Sequence, residues 1–368
     1  MVLKELGRYV VVEIIEIDGS MGEGGGQILR YSLGFSAVTL KPVRIYNIRA
    51  KRSNPGLRPQ HLTAVKALQM ITDAVVKGAK VGSMEIYFEP KRRKPGNYRF
   101  NIGTAGSTTL VIQAILPALL FSKGYSSVEI IGGTDVPWSP PIDYMRYVFI
   151  YNLRFFGVDV EIELYRRGHY PRGGGRVVLK VKPLLGKMKP INIVERGKLI
   201  SIYGISHAVR LPRHVAERQA RSAATVIREK LGVEPNILIE SYPPGRDPHL
   251  GPGSGIVLYA DVEAGTRLGG DALGARGKRA EIVGREAAEK LIDELSSGMA
   301  FDSHMGDMLI PYMFLAGGES IAGVSKLTNH TLTAIEVSKI FLPNSKVSIV
   351  GNKGEKGIIR IHGVGLSP

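Results

Sequence analysis

Three stretches of this 368-residue chain follow the same plan, and this internal repeat constrains the fold more than any other feature. Each stretch begins with a short glycine-containing loop (GEGGGQ, GTAGST or HMGDML), and an apolar helical segment follows. A second helical segment then starts at a polar or proline-rich signal, and β-like runs bound each helix pair. Because amphipathic elements must bury their apolar sides against another layer, each unit is predicted to be a four-stranded sheet with two helices on one face.

The spacing of the units indicates an insertion. The first two units start about 85 residues apart, so the third is expected near residue 190, yet its first helix starts near residue 305. The intervening stretch of roughly 110 residues alternates strand-like and helical patterns of its own. The sequence therefore predicts an α/β protein of the α+β type, with a discontinuous three-repeat domain at 1–187 and 299–368 and a smaller inserted α/β domain at 188–298.

The charge of the chain favours a polyanionic partner. There are 49 Lys and Arg against 33 Asp and Glu, a formal net charge of +16, which suits nucleic acid or a nucleotide, although many proteins are merely basic. Residues 41–60 hold six basic side chains and no acidic one, so this stretch is the better candidate for binding phosphate. A second basic cluster, Lys91–Lys94 with Arg99, follows Glu85 and Glu89 and is predicted to be a solvated face.

Several classes of protein are excluded by what the sequence lacks. The absence of Cys rules out disulfide frameworks, thiolate metal sites and cysteine nucleophiles, and it is compatible with a reducing cytosol. Charged residues interrupt the apolar N-terminus, unlike a signal peptide, so residues 1–20 are interpreted as a strand of the fold. The longest apolar run, 108–121, contains Gln113 and Pro117 and falls short of the roughly 20 residues that span a bilayer. We therefore expect a cytoplasmic protein without a membrane helix.

The glycine-rich loop at 22–27 precedes a predicted helix, where backbone N–H groups can cradle phosphate oxygens beside the helix dipole. The loop lacks the Lys-Ser/Thr pair of a P-loop and the final Gly of the dinucleotide-binding fingerprint. Its unusual residue is Glu23, a carboxylate in an anion-friendly loop. Glu23 is either a solvent-facing loop residue or a metal ligand that faces nucleotide phosphates.

A second glycine cluster, at 167–177, connects two predicted strands. The simplest interpretation is a long hairpin loop, in which Gly supplies positive φ angles. Its arginines and its three consecutive glycines also suit the close approach of a phosphate backbone. The sequence leaves both interpretations open.

Histidines remain as candidate nucleophiles, since no HExxH or GxSxG motif occurs. Thr328 or Asn329 is a good N-cap, which places His330 in the first turn of a helix, where the dipole disfavours the imidazolium form. A neutral imidazole can attack phosphorus, but a surface or capping histidine is the simpler interpretation. His304, three residues before Asp307 at the start of another helix, is a candidate metal ligand, nucleotide contact or plain loop residue.

Several separate motifs resemble one known family, the RNA 3′-terminal phosphate cyclases. They are GEGGGQILR at 22–30, IRAKRSNPGLRPQHLTAVKA at 48–67, IGTAGSTTLVIQAILPAL at 102–119, GGTDVPWSPP at 132–141, RGHYPRGGGRV at 167–177, RHVAER at 213–218 and the segment around His330. The motifs occur in the family's order and cover nearly the whole chain. The resemblance implies three βαβαββ-type repeats, similar to those of enolpyruvyl transferases, with a smaller inserted α/β domain.

The resemblance implies an ATP-dependent, ligase-type reaction in three steps. A histidine attacks the α-phosphate of ATP and releases pyrophosphate, the AMP moves to an RNA 3′-phosphate, and the 2′-OH then closes a 2′,3′-cyclic phosphodiester. The family also has a noncatalytic branch of RNA-binding ribosome-biogenesis factors that lack the nucleophile, and the presence of His330 favours the catalytic branch. A small-molecule transferase of the enolpyruvyl kind shares only the repeat architecture and does not explain the acid-free stretch at 41–60.

The resemblance also implies roles for individual residues. His330 matches the residue that becomes adenylylated, and Glu23 matches a carboxylate near the triphosphate and its Mg²⁺ or Mn²⁺ ion. Arg30, Arg49 and Arg52 match basic residues that serve the nucleotide or RNA phosphates. The matches to ATP contacts are Gln113, Pro140, His304, Met305, Gly306, Asp307 and Met308. Of these, Pro140 is expected to lie against the adenine, and Met308 stands where relatives often have Gln.

Overall fold

The computed structural model of the protein describes residues 2–5, 8–11 and 13–368. The strands in these ranges are β1 (Val2–Glu5), β2 (Arg8–Val11), β3 (Ile15–Asp18), β4 (Val43–Tyr46), β5 (Val75–Lys77), β6 (Ile86–Glu89), β7 (Asn97–Asn101), β8 (Ser126–Gly132), β9 (Val160–Arg166), β10 (Gly175–Val181), β11 (Asn192–Ile193), β12 (Leu199–Val209), β13 (Asn236–Ser241), β14 (Gly253–Val262), β15 (Arg267–Leu273), β16 (Gly317–Val324), β17 (Lys346–Val350) and β18 (Gly357–Val364). The helices are α1 (Gly26–Thr39), α2 (Pro59–Thr72), α3 (Thr108–Leu120), α4 (Ile142–Tyr144), α5 (Ile150–Leu153), α6 (His214–Leu231), α7 (Ala280–Ser296), α8 (Met305–Met308), α9 (Ile310–Leu315) and α10 (Asn329–Phe341), with a π-helical turn at Met145–Phe149 and a 3-10 turn at Arg154–Phe156.

Three of the sheets have the same topology, which confirms the predicted repeat. Their strand orders are β3-β4-β6-β5, β7-β8-β10-β9 and β11-β16-β18-β17. In each sheet the first two strands are parallel and the other neighbours are antiparallel. A parallel pair needs a long crossover connection, and the helices supply it. We call these βαβαββ repeats the first, second and third units.

The N-terminal segment contributes more than the single strand expected from its sequence. Strands β1 and β2 form a separate antiparallel pair, and β3 is the first strand of the first unit. Strand β3 alternates its burial, with Ile17 fully buried, because one face of the sheet is covered by helices. The expectation of a strand therefore holds for β3, and the preceding hairpin lies outside the repeat.

The insertion lies inside the third unit, in the crossover between β11 and β16. It forms its own sheet, ordered β13-β12-β14-β15, with α6 and α7 packed against it, and we call it the inserted unit. The unit has a buried core of its own that includes Ile202, Ile227 and Leu258. Residues 192–193 pair with β16 and so belong to the third sheet, although they lie within the predicted range 188–298. The domain boundaries remain predictions, and the pairing favours a start of the insertion after residue 193.

Strand β15 was not expected from the sequence, and two glycines explain why. Gly269 and Gly270 interrupt its apolar alternation. A Cβ atom on Gly269 would lie 2.6 Å from the Tyr144 ring, and one on Gly270 would lie 2.6 Å from the carbonyl oxygen of Ala287. Both positions need Gly because α7 and a helix of the second unit approach the strand closely. Because close packing requires glycine at these two positions, the sequence lacks the alternating apolar pattern that would predict a strand.

Helices of the three units pack together at the centre of the molecule. Helix α1 contacts α3 and α10, and α3 also contacts α2. Every residue of α3 is buried, which explains why the run at 108–121 is so apolar. Within the described residues, no helix is both long enough and apolar enough to cross a bilayer. Because the helices meet, loops at their ends from different units are brought to one place.

Arg167 joins the inserted unit to the second unit. This side chain is only 1% exposed, and it pairs with Asp135 at 3.2 Å, Asp143 at 2.5 Å and Glu240 at 2.6 Å. Glu240 belongs to β13, whereas the other two carboxylates belong to the second unit. The glycine cluster at 167–177 does form the β9–β10 hairpin loop. Its first arginine is internal, however, and so is not available to a phosphate backbone.

Several basic side chains are neutralised by acidic residues from other parts of the chain. Arg44 pairs with Glu16 at 3.0 Å and with Glu85 at 2.8 Å across the sheet. The stretch at 41–60 contains no acidic residue, but in the folded protein acidic side chains from other segments lie beside it. In the second basic cluster, Arg92 and Lys94 are partly exposed and both pair with Asp73, which favours the predicted solvated face over a phosphate site.

His61 is a buried group whose protonation opposes folding. Its Nδ1 accepts a hydrogen bond of 3.1 Å from the backbone N–H of Arg58, which requires that nitrogen to be unprotonated. Burial, followed by the positive charges of Arg30, Arg49 and Arg58, lowers the pKa of His61 to about 3. Between the ordinary value of 6.5 and this value, the unfolded chain binds a proton that the folded chain does not.

We expect the His61 contribution to stability to be complete above pH 6.5 and to be lost as the pH falls towards 3. Asn at this position keeps an acceptor but cannot titrate. The free energy of unfolding should therefore fall less in His61→Asn than in wild type, by about 2 kcal/mol between roughly pH 7 and pH 5. Urea unfolding at several pH values measures this difference. The exposed His214→Asn should behave as wild type, and equal slopes for all three proteins would contradict the prediction.

Candidate active site

The glycine-rich loop before α1 leaves the start of that helix without a side-chain cap. Gly22 and Gly24 have positive φ angles, +49° and +59°, which bend the chain sharply. A Cβ atom on Gly26 would lie 2.4 Å from His61 Nε2, so the start of α1 needs glycine to pack against α2. Gly25, at the N-cap, provides no side-chain hydrogen bond to the helix. The backbone N–H groups of the first turn are thus available to an anion.

Helix α10 begins as the sequence predicted, with Thr328 as its N-cap. The Thr328 hydroxyl accepts a hydrogen bond of 3.1 Å from the backbone N–H of Thr331, and the Thr331 hydroxyl accepts one of 3.3 Å in return. This capping box fixes the first turn, so His330 is the second residue of the helix. Its side chain is 49% exposed, which leaves the ring accessible to a substrate.

Gln27 sets the tautomer of the His330 ring. The Gln27 amide nitrogen donates to Asp307 Oδ2 at 3.2 Å and to the backbone carbonyl of His330 at 3.0 Å. Because both partners are acceptors, the amide is oriented with Oε1 towards His330 Nδ1, 2.9 Å away. An amide oxygen only accepts, so Nδ1 must carry the proton. The lone pair of the imidazole is therefore on Nε2, on the exposed side of the ring.

Asp307 connects the first unit to the third. The Tyr31 hydroxyl donates to Asp307 Oδ2 at 3.2 Å and to its backbone carbonyl at 3.1 Å, so α1 holds the start of α8 through two side chains. Burial raises the pKa of the Asp307 carboxyl, whereas the nearby His330 and His304 oppose that shift. Through its contacts with Tyr31 and Gln27, Asp307 ties α8 to α1 and orients the Gln27 amide.

Glu23 lies on the open side of His330. Its Oε2 is 3.5 Å from His330 Nε2 and 3.6 Å from Arg52 Nη2, and its Oε1 accepts a hydrogen bond of 3.1 Å from Asn329. A single, partly exposed carboxylate is a fitting ligand for Mg²⁺ or Mn²⁺, because such ions are commonly held by one or two carboxylates together with substrate phosphates. The donor chemistry at Glu23 thus suits the predicted metal.

A cavity of about 370 Å³ lies next to these residues. Its walls include the candidate nucleophile His330 and most of the residues that were matched to ATP contacts and phosphate binding, namely Arg30, Gln113, Pro140, His304, Asp307 and Met308. Met305 is fully buried in the core, and Gly306 is also buried. The residues that line the cavity thus lie around one space. The binding roles assigned to them remain predictions.

The three arginines predicted to bind phosphate differ in their surroundings. Arg30 lines the cavity, and its buried Nε has no hydrogen-bond partner among the described residues. Arg52 faces Glu23. Arg49 instead has Nη1 bonded to the carbonyls of Asn54 at 2.6 Å and Gly56 at 3.0 Å, so it orders its own loop. Arg30 and Arg52 are therefore the better placed of the three for phosphate.

Sequence reasoning missed several residues of this site. The side chain of Gln27 directly follows the glycine loop, and that position was its only signal. Trp138, the single tryptophan, lines the cavity, is 98% exposed and has a φ of +62°. Asp271 and Lys290 come from the inserted unit, and Lys290 is held by a 2.8 Å hydrogen bond to the Asp271 carbonyl. No local pattern marks these two residues, because they reach the cavity only when the units pack together.

Comparison with known proteins agrees with the motifs. A family model described as RNA 3′-terminal phosphate cyclase matches residues 21–347. The chain belongs to the RNA 3′-terminal phosphate cyclase family. It is 59% identical over 361 residues to the RNA 3′-terminal phosphate cyclase of Desulfurococcus amylolyticus, an alignment that covers 97% of this chain and 100% of that protein. The protein of the same name from Hyperthermus butylicus is 56% identical over 358 residues, 96% of this chain and 99% of that one. The one from Thermococcus kodakarensis is 52% identical over 350 residues, 95% of this chain and 98% of that one.

Membership of the cyclase family confirms the resemblance that the motifs indicated. It also sets aside the small-molecule transferase hypothesis, which rested on the repeat architecture alone.

We expect ¹⁵N NMR of histidine-labelled protein to show His330 as the Nδ1–H tautomer at neutral pH, because Gln27 Oε1 accepts only from a protonated Nδ1. Gln27→Met keeps the side-chain length but removes this acceptor, so the two tautomers should mix. Gln113→Met is the matched control, since Gln113 lines the same cavity and should leave the His330 signals unchanged. An Nε2–H tautomer in wild type would contradict the assignment.

Proposed function

We propose that the chain uses ATP to convert an RNA 3′-terminal phosphate into a 2′,3′-cyclic phosphodiester, by way of a covalent His330–AMP intermediate. The observation that carries this proposal is the hydrogen bond from His330 Nδ1 to Gln27, which leaves the Nε2 lone pair free at the cavity. The names of the relatives agree with the overall reaction. The order of steps is the one that the family resemblance implies.

In the first step, the His330 Nε2 lone pair attacks the α-phosphorus of ATP. A P–N bond forms, the bond to the bridging oxygen breaks, and pyrophosphate leaves with that electron pair. The ring becomes positively charged, and its Nδ1–H remains hydrogen-bonded to Gln27, which stabilises the charge. Arg30, which lines the cavity, would contact the phosphates. A divalent cation at Glu23 would neutralise charge on the triphosphate.

In the second step, an oxygen of the RNA 3′-phosphate attacks the phosphorus of the His330–AMP adduct, and the P–N bond breaks. The 2′-OH of the same ribose then attacks the 3′-phosphorus, which closes the cyclic diester and releases AMP. The 2′-OH proton needs an acceptor. His330 Nε2, free again after the second step, and the Glu23 carboxylate 3.5 Å from it are both available for that role.

The alternative is a noncatalytic RNA-binding factor for ribosome biogenesis. Such a protein needs no nucleophile at the cavity and no group that selects one histidine tautomer. The ordered contact between Gln27 and His330 at a half-exposed ring therefore favours the enzyme. The two hypotheses differ in one observable, a covalent adduct with AMP.

We also propose that Trp138 stacks on a base at the RNA end. It stands beside Ser139 and Pro140 at the cavity and is almost completely exposed. Its left-handed backbone conformation is unfavourable for a bulky residue, so the surrounding chain must hold it outward. Stacking of a base on such a ring is worth about 1–3 kcal/mol.

Incubation with ATP labelled at the α-phosphate and Mg²⁺ should label the protein, and the adduct should be acid-labile and alkali-stable, as expected for a phosphoramidate. His330→Ala should abolish the label, because it removes the attacking nitrogen. His214→Ala, an exposed histidine of α6, is the control that should retain it. A persistent label in His330→Ala would contradict the nucleophile, and unlabelled wild type that still binds RNA would favour the noncatalytic alternative.

Trp138→Ala should raise the KM for an RNA 3′-phosphate by about tenfold, which corresponds to about 1.4 kcal/mol of lost stacking. Formation of the AMP adduct should change little, since that step does not involve RNA. Trp138→Phe retains an aromatic face and should keep most of the affinity. An unchanged KM for RNA in Trp138→Ala would contradict the stacking role.

A further inference from the structure

A buried cluster of metal-type ligands lies between the second unit and the inserted unit. It consists of Asp135, His169 and His207, and one ligand atom from each lies within 4.8 Å of the other two. Asp135 follows β8, His169 lies in the β9–β10 loop and His207 lies on β12. Their exposed fractions are 2%, 7% and 0%. Three ligands from two separate units thus meet in the interior.

The two imidazoles point the same nitrogen at each other. His169 Nε2 and His207 Nε2 are 3.0 Å apart. Two nitrogens bound to one tetrahedral Zn²⁺ ion, each at about 2.0–2.1 Å, are separated by about 3.3 Å. The observed separation needs an adjustment of only a few tenths of an ångström. The same distance fits an N–H···N hydrogen bond between the two rings, so a bound ion would take the place of that proton.

The donor set of the cluster suits a cation. His169 and His207 each offer an imidazole nitrogen, Asp135 offers a carboxylate oxygen, and all three residues are buried. Two neutral imidazoles and a carboxylate form a donor set that Zn²⁺ prefers.

The surrounding chain makes room for the two rings. A Cβ atom on Gly253 would lie 2.0 Å from Cγ of His169, and one on Gly255 would lie 3.0 Å from Cε1 of His207. Both glycines belong to β14, which neighbours β12 in the inserted sheet. The sequence GPGSG at 251–255 therefore has a steric reason, since side chains there would displace the histidines.

Further hydrogen bonds orient the carboxylate. Asp135 Oδ2 accepts from the Thr134 hydroxyl at 2.6 Å and from Arg167 at 3.2 Å. The Thr134 hydroxyl is fixed in turn by the backbone N–H of Gly168 at 2.9 Å. Such contacts hold a ligating carboxylate in place in metal sites, whereas the Nδ1 atoms of His169 and His207 have no hydrogen-bond partner among the described residues.

We propose that Asp135, His169 and His207 bind one Zn²⁺ ion, with water as the fourth ligand, and that this ion clamps the inserted unit to the second unit. The site is separate from the cation expected at Glu23, which lies in the first unit. It does not depend on the proposed reaction, because its role is to hold two units together. Since the inserted unit supplies Asp271 and Lys290 to the cavity, the clamp also supports the site.

The test uses full-length, untagged protein that has been stripped with a chelator and titrated with Zn²⁺, and separately with Co²⁺ as a visible probe. Wild type should bind a single equivalent of Zn²⁺, show the absorption of four-coordinate Co²⁺, and gain thermal stability when Zn²⁺ is added. His169→Gln and His207→Gln should bind at least about 100-fold more weakly. The exposed His214→Gln is the control and should bind as wild type does.

Glu23→Gln separates this site from the nucleotide cation, and it should retain the equivalent of Zn²⁺. If the histidine variants do not fold, X-ray absorption of Zn²⁺-loaded wild type replaces them and should show two imidazole ligands. Folded, stripped wild type that takes up no Zn²⁺ would overturn the proposal, as would equal binding by His207→Gln or a ligand set without two imidazoles. Loss of the AMP adduct with Zn²⁺ binding intact would count only against the proposed reaction.

Discussion

The side-chain amide of Gln27 is the interaction on which the candidate active site depends. It donates to Asp307 and to the His330 carbonyl, and it accepts from the His330 ring. A single group from the first unit thereby positions two residues of the third. An amide has two donors and one acceptor oxygen in fixed geometry, so once Asp307 orients it, the histidine has only one tautomer that fits. The direction in which the nucleophilic nitrogen points follows from that.

A second junction, around Arg167, decides how the inserted unit meets the rest. A buried guanidinium is costly to desolvate, and three carboxylates from two units offset that cost only when the units are docked. Removal of one partner would leave charge buried without compensation. The docking matters for function because Asp271 and Lys290 reach the cavity from the inserted unit. The ion cluster therefore gives specificity to an interface that apolar packing alone would define less sharply.

Much of the fold followed from local patterns. Short-range periodicity and capping signals predicted the three loop–helix–helix units, the interruption in the third unit and the Thr328 cap of α10. The structure contains all of these features. The sequence did not predict strand β15, because Gly269 and Gly270 are required for close packing and have a low propensity for strands. The sequence also overstated the free positive charge of the stretch at 41–60, because Arg44 pairs with Glu16 and Glu85 from outside that stretch. Charges distant in sequence cannot be paired by inspection of one segment.

By itself the sequence determined the repeat architecture and the position of the insertion, because both follow from local patterns that recur along the chain. Its family motifs pointed to His330 as the candidate nucleophile. The tertiary structure alone decided which nitrogen of His330 is free, that Arg49 orders its own loop, and that Arg167 is internal. These properties depend on hydrogen bonds and ion pairs between residues tens to hundreds of positions apart, or on how a loop folds back on itself. Such contacts form only when the units pack, and packing is set by the whole chain and not by any one segment.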